Sequence, residues 1–402
     1  MRQIARDRYG VVTVSHPGSI PQAKDLGSAR RTVRSALLAL IFIVVLGFAA
    51  NLIHLSEYAM TPGGAQPVGP LISIDGAKPT SSGGRILLTD VLLTPLTALT
   101  WIPAQFDSAT EILPEDALVP AGQSPEDLDA QGYLDMAQSK DAARTAALRR
   151  LGYRVTSTDA GALVTAVGTG TPAADHLAVA DVIVGVDGHP VSTSCDLISA
   201  IHADAPGTSV DLSVRSARIS DSGEISNGPA HRVTIVLVAN RHPSAVSTGC
   251  PGVIGSPKSM LGIVLETDRK WHYPFAISIS TPNIGGPSAG LAMTLGIIDS
   301  LSHGQLLHSS TIAATGTMSP DGVVGDVGGV QQKAVAVSRA HATVFLVPGN
   351  EGPTARKTAS SSVRVVPVRS LDQAIRLLLQ RGGSLTMADG SVEKQTSGSE
   401  GS

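Results

Sequence analysis

The stretch STPNIGGPSAGLAMTLGIIDSLS, residues 280–302, carries the most informative local pattern in this chain of 402 residues. The preceding apolar run FAISIS predicts a strand, the Gly-Gly-Pro sequence predicts a turn, and the apolar run after Ser288 predicts a helix. Pro287 fits the first helical turn, where its missing N–H costs no hydrogen bond. Ser288 is therefore predicted at a helix N-terminus, where unpaired N–H groups can stabilise an oxyanion.

A second segment, residues 316–348, supplies a candidate base. Its sequence GTMSPDGVVGDVGGVQQKAVAVSRAHATVFLVP is punctuated by glycine up to Gly329, and then predicts a helix followed by a strand. Lys333 falls in the first turns of this helix among valine and alanine neighbours. Burial and the positive helix end both disfavour the ammonium form, so the lysine pKa should fall below ~10.4. A neutral amine could then accept the proton of a serine hydroxyl, whereas a lysine that reaches solvent from a surface helix would not.

Together the two segments resemble the proteolytic domain of the Lon family, which uses a Ser-Lys dyad. The match extends from about residue 259 to residue 381 and rests on the following positions: Gly286-Pro-Ser-Ala-Gly290, Thr315-Gly316, and Gly328-Gly329 followed by Lys333. The resemblance implies that Ser288 is the nucleophile, Lys333 the general base, and Thr315 a hydroxyl that hydrogen-bonds the dyad. It also implies that the backbone of Gly286, Ser288 and Ala289 holds the oxyanion and the substrate. Two residues depart from the family pattern, since Gly285 and Thr317 stand where acids are common.

The sequence GPSAG also fits the G-x-S-x-G nucleophile elbow of α/β-hydrolases. That elbow needs a strand running directly into the serine, and an acid and a histidine further along the chain. Here Pro282 and Pro287 interrupt the approach to Ser288. None of the later histidines, which are His303, His308 and His341, has the setting of a triad histidine. The pattern therefore favours the Ser-Lys interpretation.

A membrane segment is predicted at residues 35–56, which contain no Lys, Arg, Asp or Glu. This length spans a hydrocarbon layer of ~30 Å as a helix. Residues 1–34 hold seven basic and two acidic side chains, and the next base after the apolar run is Lys78. The charge asymmetry predicts a cytoplasmic N-terminus and an extracytoplasmic remainder, held by a single membrane span. A cleaved signal peptide is the alternative, although the leader is long for one. A buried core helix is a second alternative, which the flanking charges disfavour.

Short alternating strands and one helix, CDLISAIHA, are predicted within residues 152–240, and this stretch resembles the PDZ domains attached to bacterial proteases. The matching segments are 161–164, 171–174, 181–183, 186–188 and 196–197. Ala180 departs from the family, which usually has glycine there. By resemblance, Gly161, Ala162, Leu163 and Val164 form the strand and loop that bind an extended peptide. A β-module that only supports its neighbour is the alternative.

Composition excludes several other functions. Aromatic residues make up 3% of the chain and the net charge is −3, which argues against ligands held by stacking and against nucleic acid as a partner. Residues near 255 do not fit a P-loop, and we expect no metal and no cofactor. Cys195 and Cys250 would lie in an oxidising compartment, but whether they pair depends on a Cα separation that the sequence does not give.

The order of anchor, PDZ-like module and Lon-type domain predicts an α+β protein. It resembles the membrane-anchored, ATP-independent PDZ–Lon-like serine proteases, sometimes called the YlbL type. The predicted divisions are a basic leader at 1–34, the membrane helix at 35–56, a pre-PDZ segment at 57–151, the PDZ domain at 152–240, the Lon-like domain at 259–381 and a disordered tail at 382–402.

The resemblance further implies that the pre-PDZ segment, including the strand-like run ILLTDVLL at 86–93, packs with the catalytic part, so that the PDZ domain is an insertion. The expected substrates are peptides and unfolded or tail-exposed extracytoplasmic proteins. Lon-like domains often form rings, which makes a homo-oligomer an expectation too. A membrane-tethered PDZ binding protein with an inactive Lon-like domain is the alternative function.

Overall fold

The computed structural model describes residues 25–76, 83–119, 123–124, 127–202, 204–240, 250–251, 253, 258–307 and 309–394. Its α-helices are α1 (Asp25–Leu52), α2 (Ala98–Ala104), α3 (Glu115–Leu118), α4 (Asp127–Arg150), α5 (Ser194–His202), α6 (Gly290–Leu301), α7 (Val330–Arg339), α8 (Gly352–Thr358) and α9 (Leu371–Gln380). Short 3-10 turns occur at Gly69–Leu71 and Pro287–Ala289.

The strands are β1 (His54–Pro67), β2 (Ile72–Ile74), β3 (Arg85–Thr97), β4 (Glu111–Pro114), β5 (Thr156–Val167), β6 (Val182–Val186), β7 (His189–Pro190), β8 (Ser209–Ile219), β9 (Ile225–Val236), β10 (Val238–Ala239), β11 (Ser259–Met260), β12 (Ile263–His272), β13 (Ile277–Ile279), β14 (Thr311–Ala314), β15 (Thr317–Met318), β16 (Val324–Gly325), β17 (Val344–Pro348), β18 (Arg364–Val368), β19 (Ser384–Thr386) and β20 (Val392–Lys394).

The apolar N-terminal helix belongs to a compact unit of its own, together with Thr97–Thr100. Within α1, the segment Val33–Leu52 is long and apolar enough to cross a membrane, and its side chains are exposed. A signal sequence would have the same length and composition, so either role fits this helix. Most of the predicted leader, residues 1–24, lies outside the described residues.

A six-stranded sheet organises the second unit, which begins at Leu55, and its strand order is β18-β17-β14-β3-β1-β4. β14 pairs in parallel with both β3 and β17, and β17 pairs in parallel with β18. The run ILLTDVLL forms part of β3 and therefore lies in the same sheet as the strands that follow Ser288. Parallel strands need covering helices on both faces, and the chain supplies them from α6 and α9 on one side and α7 and α8 on the other.

Side-chain alternation divides β3 and β14 between two cores. Leu88 and Ala314 pack with α6 and α9, whereas Leu87 and Ala313 pack with α7 and α8. The helix that follows Ser288, α6, and the helix that carries Lys333, α7, thus cover opposite faces of one sheet. The mixed α+β architecture with an apolar helix and a β-rich module agrees with the sequence prediction.

The PDZ module is a separate sheet with strand order β12-β5-β6-β8-β9, and β7 pairs with β6. β12 lies well beyond residue 240, where we expected the module to end, yet it pairs with β5 along almost its whole length. Ile263 and Leu265 of β12 pack on the PDZ core. The sheet thus continues past residue 240, where the predicted PDZ domain ends, and includes a strand from the predicted Lon-like segment 259–381.

The C-terminal segment also differs from its prediction of disorder. Residues 382–394 contain the antiparallel pair β19–β20. Leu385 is fully buried in the core that α6 and α9 form, and Arg150 pairs with Glu393 at 2.8 Å. The Gly/Ser-rich composition of this segment suggested disorder, but burial of Leu385 and the ion pair of Glu393 hold the hairpin in place. Residues 395–402 lie outside the described part of the chain.

Candidate active site

Ser288 lies in the 3-10 turn Pro287–Ala289, directly before α6. The turn begins after Gly286, whose φ of 85° lies in the left-handed region that favours glycine. Gly290 then allows a close approach, because a Cβ there would lie 2.8 Å from the backbone nitrogen of Met318. These small residues place a partly buried serine at the start of a helix, as the sequence predicted.

Ser288 does not follow a strand of the parallel sheet. The preceding strand, β13, pairs with β2 in a separate two-stranded ribbon. Five residues, Pro282–Gly286, then form an irregular turn before the 3-10 turn. A nucleophile elbow requires the central sheet to deliver its serine directly, so this topology argues against the α/β-hydrolase alternative.

Lys333 lies on the first turns of α7, on the side that faces the sheet, and its side chain is 2% exposed. Burial lowers the pKa of Lys333 to about 8, while the carboxylates of Glu351 and Asp90 act in the opposite direction. The helix begins after Gly329, which has a φ of 66°. A Cβ at Gly329 would lie 2.7 Å from Met60 Sδ and 2.8 Å from Val91 Cγ1. Glycine therefore lets the start of α7 lie against β1 and β3.

Thr315 follows β14 and connects the sheet to the serine. Its backbone N–H donates to Leu346 O at 3.0 Å, and its hydroxyl donates to the carbonyl oxygen of Ser288 at 3.2 Å. The N–H of Gly316 donates to the same carbonyl at 2.9 Å. Thr315 is fully buried. Its hydroxyl thus contacts the backbone of Ser288 and holds the nucleophile turn against the end of β14.

Ser288 lies at the C-terminal end of β14, and α7, which carries Lys333, begins beside Val91 near the same end of β3. Within the described residues, no hydrogen bond joins Ser288 Oγ to Lys333 Nζ. Catalytic hydrogen bonds are often long in a substrate-free enzyme and tighten when substrate binds. The Ser-Lys dyad therefore stays a prediction.

The expected oxyanion donors need one correction. The N–H of Gly286 donates to Gly132 O of α4 at 2.7 Å, so it is already used and cannot bind an oxyanion in this conformation. Ser288 and Ala289 lie in the first turn, where the positive helix end still favours an anion. Gly285 stands where the family often has an acid, and the packing explains the absence of a side chain. A Cβ at Gly285 would lie 3.1 Å from the carbonyl carbon of Gly132. Without a side chain, this turn can lie directly on α4.

Sequence reasoning missed Ser139, a supporting residue on α4. Its hydroxyl donates to Pro287 O at 3.0 Å, and the residue is 4% exposed. The periodic apolar positions are the prominent pattern in the sequence of α4, and a single serine does not stand out among them. Its spacing of three residues after the buried Met136 places it on the same side of the helix, and this was the available signal.

The PDZ residues predicted to accept a peptide strand lie in β5, and that prediction is wrong. β5 pairs with β12 on one edge and with β6 on the other, so Gly161–Val164 have no unpaired edge. Within the described residues, the outer edge of β12 has no strand partner. The start of α5 lies beside it, where the N–H of Ser194 donates to Thr267 Oγ1 at 3.2 Å.

Two further sequence features are explained by the PDZ module. Ala180 has a φ of 73°, which accounts for the glycine usual at this position. The adjacent Asp181 is buried and accepts from the N–H groups of Ala178 and Ala217. Cys195 and Cys250 form a disulfide with a Cα separation of 5.4 Å.

No group of three or more metal-ligating side chains occurs in the part of the chain that the structure describes.

Comparisons with known proteins identify both modules. A family model for the PDZ domain matches residues 150–219, and one for the Lon protease (S16) C-terminal proteolytic domain matches residues 266–381. The chain therefore carries a PDZ domain and a Lon-type proteolytic domain.

Curated relatives match the C-terminal part. The Lon protease of Trichlorobacter lovleyi is 30% identical over 99 residues, which is 24% of this chain and 12% of that protein. The Lon protease of Methylocella silvestris is 41% identical over 83 residues, or 21% of this chain and 10% of that one. The chain thus spans about an eighth or less of the length of these relatives. Among solved structures, the PDZ domain of an SdrC-like protein from Listeria monocytogenes is 24% identical, covering 27% of this chain and 90% of that one with a TM-score of 0.19.

Proposed function

We propose that this chain is a membrane-anchored, ATP-independent serine endopeptidase in which Ser288 is the nucleophile and Lys333 the general base. The observation that carries the proposal is the burial of Lys333, at 2% exposure, in a domain matched to the Lon proteolytic family. A buried lysine without a direct ion pair is costly for a structural role alone. A lysine whose pKa lies at about 8 has a substantial neutral fraction near physiological pH.

The chemistry is acyl transfer in two steps. The neutral amine of Lys333 takes the Ser288 hydroxyl proton as Oγ bonds to the substrate carbonyl carbon, and the carbonyl oxygen becomes an oxyanion. N–H groups of the first turn, at Ser288 and Ala289, stabilise that charge. The ammonium of Lys333 then protonates the leaving amine as the C–N bond breaks, which leaves an acyl-enzyme. Water, deprotonated by the same lysine, attacks the ester and releases the carboxylic acid and the serine.

Recruitment of substrate belongs to the PDZ domain. The outer edge of β12 pairs with no strand among the described residues, and it offers backbone N–H and C=O groups to an extended segment. Strand addition is a common way for such domains to bind peptides. An extended segment is available in an unfolded protein or at a chain terminus. Because the proposed enzyme uses no ATP, we expect it to act on substrates that are already unfolded or have exposed tails.

The proposed location is the outer side of a bacterial cell membrane, with α1 as a single span and the N-terminus in the cytoplasm. The charge asymmetry around α1 supports this orientation. The Cys195–Cys250 disulfide supports it independently, because such bonds persist in oxidising compartments.

The test is serine-directed labelling of the full-length, detergent-solubilised protein with a fluorophosphonate probe, together with cleavage of an unfolded reporter protein. We expect wild type to be labelled and active, Ser288→Ala to lose both, and Lys333→Ala to lose at least two orders of magnitude of rate. If labelling and cleavage persist in Ser288→Ala, the nucleophile is wrongly assigned. If wild type cleaves nothing, including itself, while it binds peptide, the peptidase proposal fails.

A second candidate function is a membrane-tethered peptide-binding protein with a catalytically inactive domain. The observation in its favour is that Ser288 Oγ and Lys333 Nζ share no hydrogen bond in the described residues. This candidate predicts peptide binding that is unaffected by Ser288→Ala, and no probe labelling of wild type at any pH from ~6 to ~10.

A further inference from the structure

The residue before α8, Glu351, has an unusual pair of carboxylate oxygens. Its Oε1 accepts from the N–H of Val327 at 2.8 Å. Its Oε2 is buried and has no hydrogen-bond partner. A buried carboxylate oxygen without a partner is costly, which calls for a physical reason.

The hydrogen bond to Val327 fixes the loop that begins α7. Val327 lies two residues before Gly329, and the N–H of Lys333 donates to Gly329 O at 2.9 Å in the first turn of the helix. A second contact supports the same loop, since Asn350 Nδ2 donates to Asp326 Oδ2 at 3.3 Å. The turn after β17 therefore holds the chain at the position from which Lys333 projects.

The charge of Glu351 acts on Lys333 without pairing with it. Of the two carboxylates that raise the pKa of Lys333 against the effect of burial, Glu351 has the larger influence and Asp90 the smaller. No ion pair joins Glu351 to Lys333 among the described residues, so the carboxylate does not occupy the amine. The carboxylate thus raises the pKa of Lys333, while the amine remains available to exchange protons with Ser288 and substrate.

Glu111 of β4 also contacts α7, since its Oε2 accepts from Gln332 Nε2 at 3.4 Å, but the carboxylates that act on the pKa of Lys333 are Glu351 and Asp90. Asp90 on β3 accepts from the N–H of Gly64, and Asp326 acts on Glu351 rather than on the lysine. β14 and β17, which pack against α7, contain no titratable side chain. The other charges on the packed helices are exposed to solvent, and they belong to Arg339, Arg356 and Lys357.

We propose that Glu351 is a positioning residue for the general base: it anchors the loop that starts α7 and supplies the charge that sets how readily Lys333 gives up its proton. The proposal rests on the proposed Ser-Lys peptidase function and deepens it. Burial alone would leave the amine neutral at lower pH. A carboxylate at a distance keeps it able to alternate between base and acid, as both halves of acyl transfer require.

The test variant is Glu351→Gln in the full-length protein, because glutamine keeps an oxygen for the Val327 N–H and removes only the charge. The acid limb of the pH profile of kcat/KM should move to lower pH by about 0.5–1 unit. This is less than the pKa shift of ~1–3 units that a carboxylate in close contact causes. With a wild-type pKa of about 8, this shift raises the rate at pH 7 by ~2–5-fold. The same shift should appear in fluorophosphonate labelling.

The matched control is Asp116→Asn, which removes an exposed carboxylate of α3 outside this loop and should leave the acid limb in place. An unmoved limb in Glu351→Gln, with an active wild type, overturns this inference alone, whereas an inactive wild type overturns the proposed function. If Glu351→Gln does not fold, Glu351→Asp replaces it. Aspartate keeps the charge on a shorter arm, so it should keep the wild-type midpoint and lower the plateau. A midpoint that falls in Glu351→Asp as well would overturn the inference.

Discussion

The disulfide between Cys195 and Cys250 should make a large contribution to the stability of the PDZ domain. It joins the second residue of α5 to a cysteine that is 8% exposed, with 55 residues of sequence separation. Closing a loop of that length in the unfolded chain lowers its entropy by an amount worth about 4 kcal/mol at 25 °C. Because α5 flanks the free edge of β12, loss of the bond should also weaken peptide binding there.

The perturbation is Cys195→Ser with Cys250→Ser, compared with wild type in thermal and urea unfolding. We expect the Tm of the PDZ domain to fall by roughly 15–20 °C, with α5 and β11 losing hydrogen-exchange protection first. The single variant Cys195→Ser is the matched control, since it opens the same loop and should be destabilised equally. Equal unfolding midpoints for wild type and the double variant would refute the reasoning. Labelling of Ser288 should be unaffected, because the disulfide lies outside the catalytic core.

Four further predictions concern single groups. The rate of probe labelling should rise as pH passes through about 8, because burial lowers the pKa of Lys333 and the neutral amine is the active form; a flat profile would contradict this. Thr315→Val keeps the side-chain volume but removes the hydroxyl bond to the Ser288 carbonyl, so labelling should slow about tenfold for a loss of ~1–2 kcal/mol. Gly161→Ala should destabilise the PDZ domain by ~2–4 kcal/mol in calorimetry, since its φ is 146° and the new Cβ would lie 2.6 Å from a facing valine methyl. Burial raises the pKa of Asp299 to about 6, so the folded state holds this proton more tightly than the unfolded state and stability falls as pH rises from ~4 to ~6. Asp299→Asn should remove that slope and be more stable at pH 7 by ~1–3 kcal/mol in urea titrations.

The nucleophile turn and the helix of Lys333 could be predicted because their signals are local. A Gly-Gly-Pro turn followed by an apolar run specifies a helix start at Ser288, and the buried side of α7 follows from its 3.6-residue period. The PDZ and Lon-type modules were likewise recognisable from ordered motifs. The family comparisons confirm both.

Long-range hydrogen bonds explain what the sequence did not reveal. The N–H of Gly286 is used by Gly132, which is far away in the chain, and nothing near either glycine announces this contact. The outer strand β12 was assigned to the catalytic domain because strand pairing depends on tertiary position and not on its own alternation. The pairing of Cys195 with Cys250 depended on a Cα separation that only the folded chain supplies.

The PDZ domain interrupts the catalytic sheet in a way that bears on how the protein folds. Leu88 of β3 pairs with Ala314 of β14 across the whole inserted domain. The chain leaves the catalytic body near Tyr153 and returns near Phe275, and these two rings meet edge-to-face with centroids 5.3 Å apart. A folded PDZ domain therefore replaces a long flexible loop by a short, fixed closure, which reduces the entropy that β3 and β14 must overcome to pair. During synthesis β3 must wait for β14, which emerges after the inserted domain, so a PDZ domain that folds first favours assembly of the sheet that positions Ser288 and Lys333.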